Sequence, residues 1–309
     1  MKIVRGISQI RRFKRPVVAM GVFDGVHRGH QCILKAAVRK AKDIKGTSIV
    51  VTFWPDPHQE QSLYSLEHRL RLISQIGIDV CVVINFNQNF SRINAEDFVK
   101  EILVKKIDTR FLYVGKNFRF GKNGAGDYKT LQRLSRIYGF KLKLFPVIRI
   151  KGKVISSTAI RNLICVGELA GAQRLLSRPV SVLGTVIRGD SLGKRLGFPT
   201  ANIDPHHEVL PPLGIYIVRV IYGKRILKGV CYIGTKPTFK AQTANRKPQT
   251  AKTIEVYIFR FKKNIYGQYL EIQFLKKIRE DRKFRTKEAL IKQIKKDISF
   301  ALTYFSRHS

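Results

Sequence analysis

At 309 residues the chain is long enough for two domains, and 44% hydrophobic residues give each a core, which excludes the disordered and collagen-like classes. Lys and Arg outnumber Asp and Glu by 59 to 21, for a net charge of +38. The excess divides as +21 over residues 1–178 and +17 over 179–309, so it is neither a basic tail nor a single nucleic-acid stripe, and it attracts polyanions, ATP included.

Taken in chain order, basic residues 11–15 precede an apolar run over 17–23 that Asp24 ends. The run is too short to span a membrane, lacks a signal-cleavage pattern and predicts a first buried strand. Further strands are predicted at 47–53, 79–84, 111–115 and 141–147, with helical patterns near 29–42, 66–76, 95–106 and 127–138 between them. That alternation predicts an α/β domain built on a doubly wound parallel sheet. Helices near 158–165 and 168–176 close it. After Arg178 and Pro179 the rhythm changes to short strands at 180–187, 214–221, 225–233, 253–261 and 268–276. A hairpin is expected at Tyr222-Gly223, a polar loop around 240–251, and one long helix over 286–304. Closely spaced strands predict a small all-β antiparallel barrel with a C-terminal helix. The domains are therefore expected at 1–178 and 179–309. Cys32, Cys81, Cys165 and Cys231 are scattered without CxxC or metal spacing, which points to a reducing cytoplasm.

Residues 21–30, GVFDGVHRGH, join the first strand to the first helix. In an open parallel sheet, ligands sit beyond the strand C-terminal ends, where helix N-termini present free N–H groups. Gly25 and Gly29 allow close backbone approach. His27 and His30, three apart, face one way on a first helical turn and can donate to oxygens that gain charge. The competing reading has one histidine capping the helix and the other in the core. Ser156, Ser157 and Thr158 open a later helix, where they can hold phosphate or simply cap; Arg161 follows one turn on.

These segments resemble bacterial FAD synthetases, nucleotidyltransferases with an HxGH signature. TFWPDP (52–57), GKNFRFG (115–121) and ISSTAIR (155–161) are similar to further motifs of that family, in family order. The resemblance implies that Asp24, Gly25, His27, His30, Asn117, Ser156, Ser157, Thr158 and Arg161 bind ATP, with His27 and His30 catalytic, as the FMN phosphate attacks the α-phosphorus. Asp56 stands where the family usually has histidine, and an anion there would repel polyphosphate unless Mg²⁺ or a basic neighbour intervenes.

Residues 184–203, GTVIRGDSLGKRLGFPTANI, place Gly189, Gly193, Gly197, Lys194 and Arg195 before Thr200 and Asn202. Glycines with cations suit phosphate, and hydroxyl and amide oxygens suit Mg²⁺. A glycine-rich surface turn is the plain alternative. Glu255 is the one carboxylate in an apolar strand; it can serve as a general base or as a salt-bridge partner. The second half resembles bacterial riboflavin kinase in GKRLGFPTANI, PPLGIYIV, GVCYIGTKPTF and IEVYIFRF. The likeness implies Mg²⁺ and ATP on Thr200 and Asn202, ATP also on Gly193 and Lys194, and Glu255 as base on the ribityl hydroxyl. Tyr232, Tyr257 and Arg260 depart from the family's Asn, His and Asp.

The resemblance as a whole implies a bifunctional enzyme with riboflavin, FMN and ATP as substrates. It further implies a cytoplasmic chain, monomeric or transiently associating, with no membrane and no specific nucleic-acid partner. A working FAD synthetase with an impaired kinase half is the nearest alternative. A nucleic-acid-binding barrel using Tyr257, Phe259 and Phe261 is the other; period-two spacing on a strand apolar on both faces favours burial of those rings.

Overall fold

Val17, Val18, Ala19 and Met20 have almost no solvent exposure because their strand runs through the middle of a parallel sheet. The computed structural model describes residues 1–57, 62–150, 152–189, 192–237 and 250–308. The sheet strands are β1 (Lys2–Arg5), β2 (Pro16–Met20), β3 (Thr47–Trp54), β4 (Val80–Asn85), β5 (Phe111–Gly115) and β6 (Lys141–Phe145). Their order is β1-β4-β3-β2-β5-β6, and every pair is parallel. The order reverses at β2, which makes the crevice beside its C-terminal end the expected ligand position.

The helices follow the apolar periodicity. In α1 (Arg28–Asp43), Ile33, Leu34, Ala37 and Ala41 form the buried face. Next come α2 (Leu66–Gln75), the single turn α3 (Gln88–Ser91) and α4 (Ala95–Asp97), which runs directly into π-helical turns over Phe98–Lys106. After them come α5 (Tyr128–Tyr138) and a hairpin of β7 (Arg149–Ile150) with β8 (Lys153–Val154). Then follow α6 (Ser157–Cys165) and α7 (Leu169–Leu176).

The remaining strands are β9 (Val180–Ile187), β10 (Ala201–Asp204), β11 (Gly214–Tyr222), β12 (Arg225–Pro237), β13 (Thr250–Ile258) and β14 (Tyr269–Arg279), with a short α8 (Leu192–Arg195) after β9. They close into an antiparallel barrel in the order β10-β13-β12-β11-β14-β9. The C-terminal helix α9 (Lys287–Arg307) packs Ala301 and Phe305 on the barrel. Arg279 fixes it by gripping Asp297, 96% buried, through Nε and Nη2 at 2.8–3.1 Å. The chain divides into two compact units, Met1–Ala159 and Ile160–Ser309, and α7 packs against β9 and β14 within the second.

The α/β and barrel architecture agrees with the sequence reading, with local differences. β1 and β10 were not predicted: each is four residues long, and β1 pairs with a strand far away in sequence. The strand read over 253–261 stops at Ile258, because Arg260 adopts a left-handed backbone (φ 53°) that ends the extended run. The strand read over 17–23 ends at Met20, where the turn begins. The hairpin at Tyr222-Gly223 is present, with Tyr222 facing Arg225. The polar loop near 240–251 lies outside the described residues up to its last positions.

Candidate active sites

The turn after β2 is tightly wound. Phe23 (φ 56°), Gly25 (φ 78°) and Val26 (φ 38°) all have left-handed backbones, which for a β-branched valine is strained. Strain of this kind concentrates at functional sites, where surrounding structure must hold it. Here Asp24 does so. It is 95% buried, and its carboxylate accepts from the Leu63 amide (2.9 Å) and the Tyr64 amide (3.3 Å) and pairs with Arg69 at 3.8 Å. Burial raises the Asp24 carboxyl above its ordinary pKa, against the pull of Arg69 and the two amides. Its backbone carbonyl accepts from Ser157 Oγ (2.9 Å), which brings the N-terminus of α6 to the same turn.

His27 caps α1: its Nδ1 accepts from the His30 amide at 3.3 Å. That leaves a neutral ring with its proton on Nε2, a donor suited to a phosphate oxygen. The His30 ring stacks on His27 with centroids 3.6 Å apart. Gly29 keeps this fold-back uncrowded, since a Cβ there would stand 3.1 Å from the His27 ring and the ring would have to shift. Both sequence readings are therefore realised in part, capping by His27 and co-facing of the pair. Ser156 Oγ caps α6 by accepting from the Ala159 amide (3.2 Å), so both serine hydroxyls are engaged in placing that helix, whereas Thr158 is exposed. Arg161 lies one turn further along α6, in the second unit.

Beyond the ends of β2, β3 and β5 lies a cavity of about 610 Å³ lined by Val22, Phe53, Pro57, Phe90, Asn117 and Phe118, among others. It joins the turn after β2 with the 52–57 and 115–121 motifs. The apolar aromatic wall was not read from the sequence. Phe86 and Phe90 lie outside every motif, and only their clustering with Phe53 and Phe98 reveals the wall.

In the second unit, Thr200 Oγ1 donates to Glu255 Oε2 at 3.1 Å. Glu255 sits on the outer face of β13, between the inward-facing Ile254 and Val256. Its register partners are Asn202 on β10 and Tyr232 on β12, so the three form one cross-strand row. Tyr232 Oη donates to Asp281 Oδ2 (3.1 Å); burial and that carboxylate push the phenol up to about 12. Gly193 abuts Thr200, where a Cβ would stand 2.9 Å from Oγ1, and Gly189 abuts Asn202. The Lys194 side chain lies outside the described residues. A second cavity of about 380 Å³ opens beside Pro199 and Thr200, with Phe261, Lys262, Lys263 and Tyr266 on its walls. Tyr257 meets Phe198 edge-on and Phe259 meets Phe305, so these two rings are packed against other side chains.

Gly189 gives a direct test of the row. An added Cβ would fall 2.2 Å from Asn202 Nδ2, so Gly189→Ala must push the amide aside. The reaction that this row serves is expected to drop by about 10²-fold, the cost of an ångström-scale misplacement, with the reaction at the turn after β2 unchanged. Assaying both reactions on one preparation checks this.

Comparison with known proteins decides the family. A family model described as FAD synthetase matches residues 9–159, and one described as riboflavin kinase matches 176–305. The chain is 33% identical to a bifunctional riboflavin kinase/FMN adenylyltransferase of Buchnera aphidicola, over 99% of both chains. The chain belongs to this bifunctional family. Its likeness to the Escherichia coli member is also 33%, over 99% of this chain and 98% of that one. A crystal structure described as a macrolide-efflux protein from Streptococcus pneumoniae has the same fold (TM-score 0.81, 25% identity, 97% of this chain and 99% of that one). Among the described residues no helix is long and apolar enough to cross a membrane.

Proposed function

We propose that the chain makes FAD from riboflavin in two ATP-dependent steps, with the kinase in residues 179–309 and the adenylyltransferase in 1–178. In the first, the ribityl hydroxyl of riboflavin attacks the γ-phosphorus of ATP, its proton passes to Glu255, and ADP leaves. In the second, a phosphate oxygen of FMN attacks the α-phosphorus of ATP, and pyrophosphate leaves with no covalent enzyme intermediate. The observation that carries the reading is Glu255 hydrogen-bonded to Thr200 and in register with Asn202, in a chain whose relatives are bifunctional over their full length.

Glu255 is half-buried, and the Thr200 hydroxyl holds one carboxylate oxygen, which leaves the other for a substrate proton. Mg²⁺ fits this donor set. Thr200 and Asn202 offer hard oxygens, and among the described residues no group of three or more His, Cys, Asp or Glu forms a metal cage. An ion held by few protein oxygens and by substrate phosphates suits that pattern. When bound, it would neutralise phosphate charge. Lys262 and Lys263 on the wall of the smaller cavity add cations for the nucleotide.

In the first unit, His27 and His30 donate to phosphate oxygens as charge develops, and the N-terminus of α6 with Thr158 receives the rest of the triphosphate. Asp24 and Gly25 shape the turn on which the nucleotide rests. The 610 Å³ aromatic cavity takes the flavin ring, and Asn117 on its wall contacts the nucleotide. The working chain is a cytoplasmic monomer, or associates transiently, without a specific nucleic-acid partner. Packing of Tyr257 and Phe259 against other rings supports that last point.

The test is to supply riboflavin or FMN separately with ATP and Mg²⁺ and to separate the flavins. FMN and FAD from riboflavin, and FAD from FMN, are expected. FAD from FMN alone would reduce the reading to a single adenylyltransferase.

A further inference from the structure

Tyr232, half-buried on β12, lays its ring along its own strand over Gly234. Residues two apart on a strand share a face, which is how the two meet. A Cβ added at Gly234 would stand 2.2 Å from Tyr232 Oη, 2.3 Å from Cζ and 2.6 Å from Cε1, so the ring occupies the space that a side chain at 234 would take. From there Tyr232 Oη donates to Asp281 Oδ2 at 3.1 Å. Burial and that carboxylate hold the phenol up to about 12, so the donor keeps its proton at ordinary pH.

Asp281 belongs to the segment 280–286, which joins β14 to α9. Neighbouring residues tie this segment to the helix. Arg282 Nη2 donates to Gln293 Oε1, and the Phe284 ring lies 4.9 Å from the Arg282 guanidinium and 5.6 Å from that of Arg279, which grips Asp297. The bond from Tyr232 ties the same segment to the barrel. The strand order shows what that bond borders. β13 lies between β10 and β12, so Glu255 has Asn202 on one side and Tyr232 on the other. Thr200, which donates to Glu255, immediately precedes β10. The oxygens suited to Mg²⁺ and ATP are thus on the β10 side of the base, and a second substrate reaches it from the β12 side, past Tyr232.

Resting on the proposed phosphorylation of riboflavin, we infer that Tyr232 is a positioning residue whose hydrogen bond to Asp281 latches the segment 280–286 to β12 and so fixes a wall beside Glu255 before the flavin arrives. Gly234 is part of the latch, because it leaves room for the ring. A wall that is already ordered spares the flavin the cost of ordering it on binding. Loss of the latch therefore weakens flavin binding and leaves the nucleotide and the base as they were.

Steady-state riboflavin phosphorylation by the full-length protein tests this. Tyr232→Phe keeps the ring and removes only the donor. It is expected to raise KM for riboflavin about three- to tenfold, with KM for ATP and kcat within about twofold of wild type. Asp281→Ala is expected to match it, whereas Asp281→Asn, whose carbonyl still accepts, should stay within about twofold of wild type. Combining Tyr232→Phe with Asp281→Ala should be no worse than either change alone. Gly234→Ala reaches the latch without altering either partner. It is expected to raise KM for riboflavin in the wild-type background and to add nothing in Tyr232→Ala, where the three atoms nearest the new Cβ are gone.

A loss of folded protein lowers kcat and leaves both KM values alone, so the split in KM separates the latch from a purely structural role. If Gly234→Ala or Tyr232→Ala does not fold, Tyr232→Phe and the Asp281 variants decide the matter. A wild-type KM for riboflavin in Tyr232→Phe, additive effects of Tyr232→Phe and Asp281→Ala, or an equal rise in KM for ATP overturns the inference. A wild-type protein that forms no FMN from riboflavin instead overturns the reading on which it rests.

Discussion

Glu255→Gln is expected to lower FMN formation by about 10²–10⁴-fold, the range for loss of a general base, while conversion of supplied FMN to FAD continues at the wild-type rate. The substitution is nearly isosteric, and the amide oxygen of glutamine still accepts from Thr200 Oγ1, so the 3.1 Å contact has a replacement. Only the proton acceptor is lost. Glu255 lies on the barrel, in the second compact unit, and the turn after β2 lies in the first, so the two activities should separate cleanly. Retained FMN formation would remove Glu255 from the role of base. Loss of both activities in a folded variant would contradict the assignment of the two reactions to different halves.

The mirror-image result is expected for His30→Ala, with FAD formation from FMN reduced by about 10²–10³-fold, as for a donor to a developing oxyanion, and riboflavin phosphorylation unaffected. His30 is the better probe of the pair. Its backbone amide, which donates to the His27 ring, survives the substitution, so the cap of α1 stays in place. His27→Ala removes donor and cap together. It is expected to lose the same activity and also about 1 kcal/mol of stability, or roughly 2–4 °C in the melting temperature of a domain this size. Equal melting temperatures for the two variants would contradict the capping role. Undiminished FAD formation in both would mean that the stacked rings serve only to start the helix.

Much of the architecture was legible because burial is written in runs. VVAM over 17–20 is apolar without interruption, as a strand covered on both faces must be, and the glycine at 21 marks where the turn begins. α1 declares itself by Ile33, Leu34, Ala37 and Ala41. What could not be read depended on contacts between residues distant in sequence. β1 is KIVR, half charged, and becomes a strand only because its backbone pairs with β4. β10 lies inside a glycine-rich segment and is extended because β9 and β13 flank it.

The same division applies to the sites. Thr200, Asn202 and Glu255 stood out individually, but their convergence depends on the register of β10 against β13. Arg69 was invisible. In the string LEHRLRL an arginine reads as part of a solvated helix face, and nothing local says that Val22, Phe53 and Asp24 close over it. Phe86 and Phe90 line the larger cavity for the same kind of reason, since their role comes from where β4 and the turn after it are placed.

The most direct test follows phosphorus. Purified wild-type protein is given riboflavin, Mg²⁺ and ATP labelled at either the γ- or the α-phosphate, and the flavin products are separated. The γ-label should appear first in FMN and then in FAD, and the α-label in FAD alone, because one transfer breaks the bond to the γ-phosphorus and the other attacks the α-phosphorus. Absence of the α-label from every flavin, or of both labels, would contradict the two-transfer account.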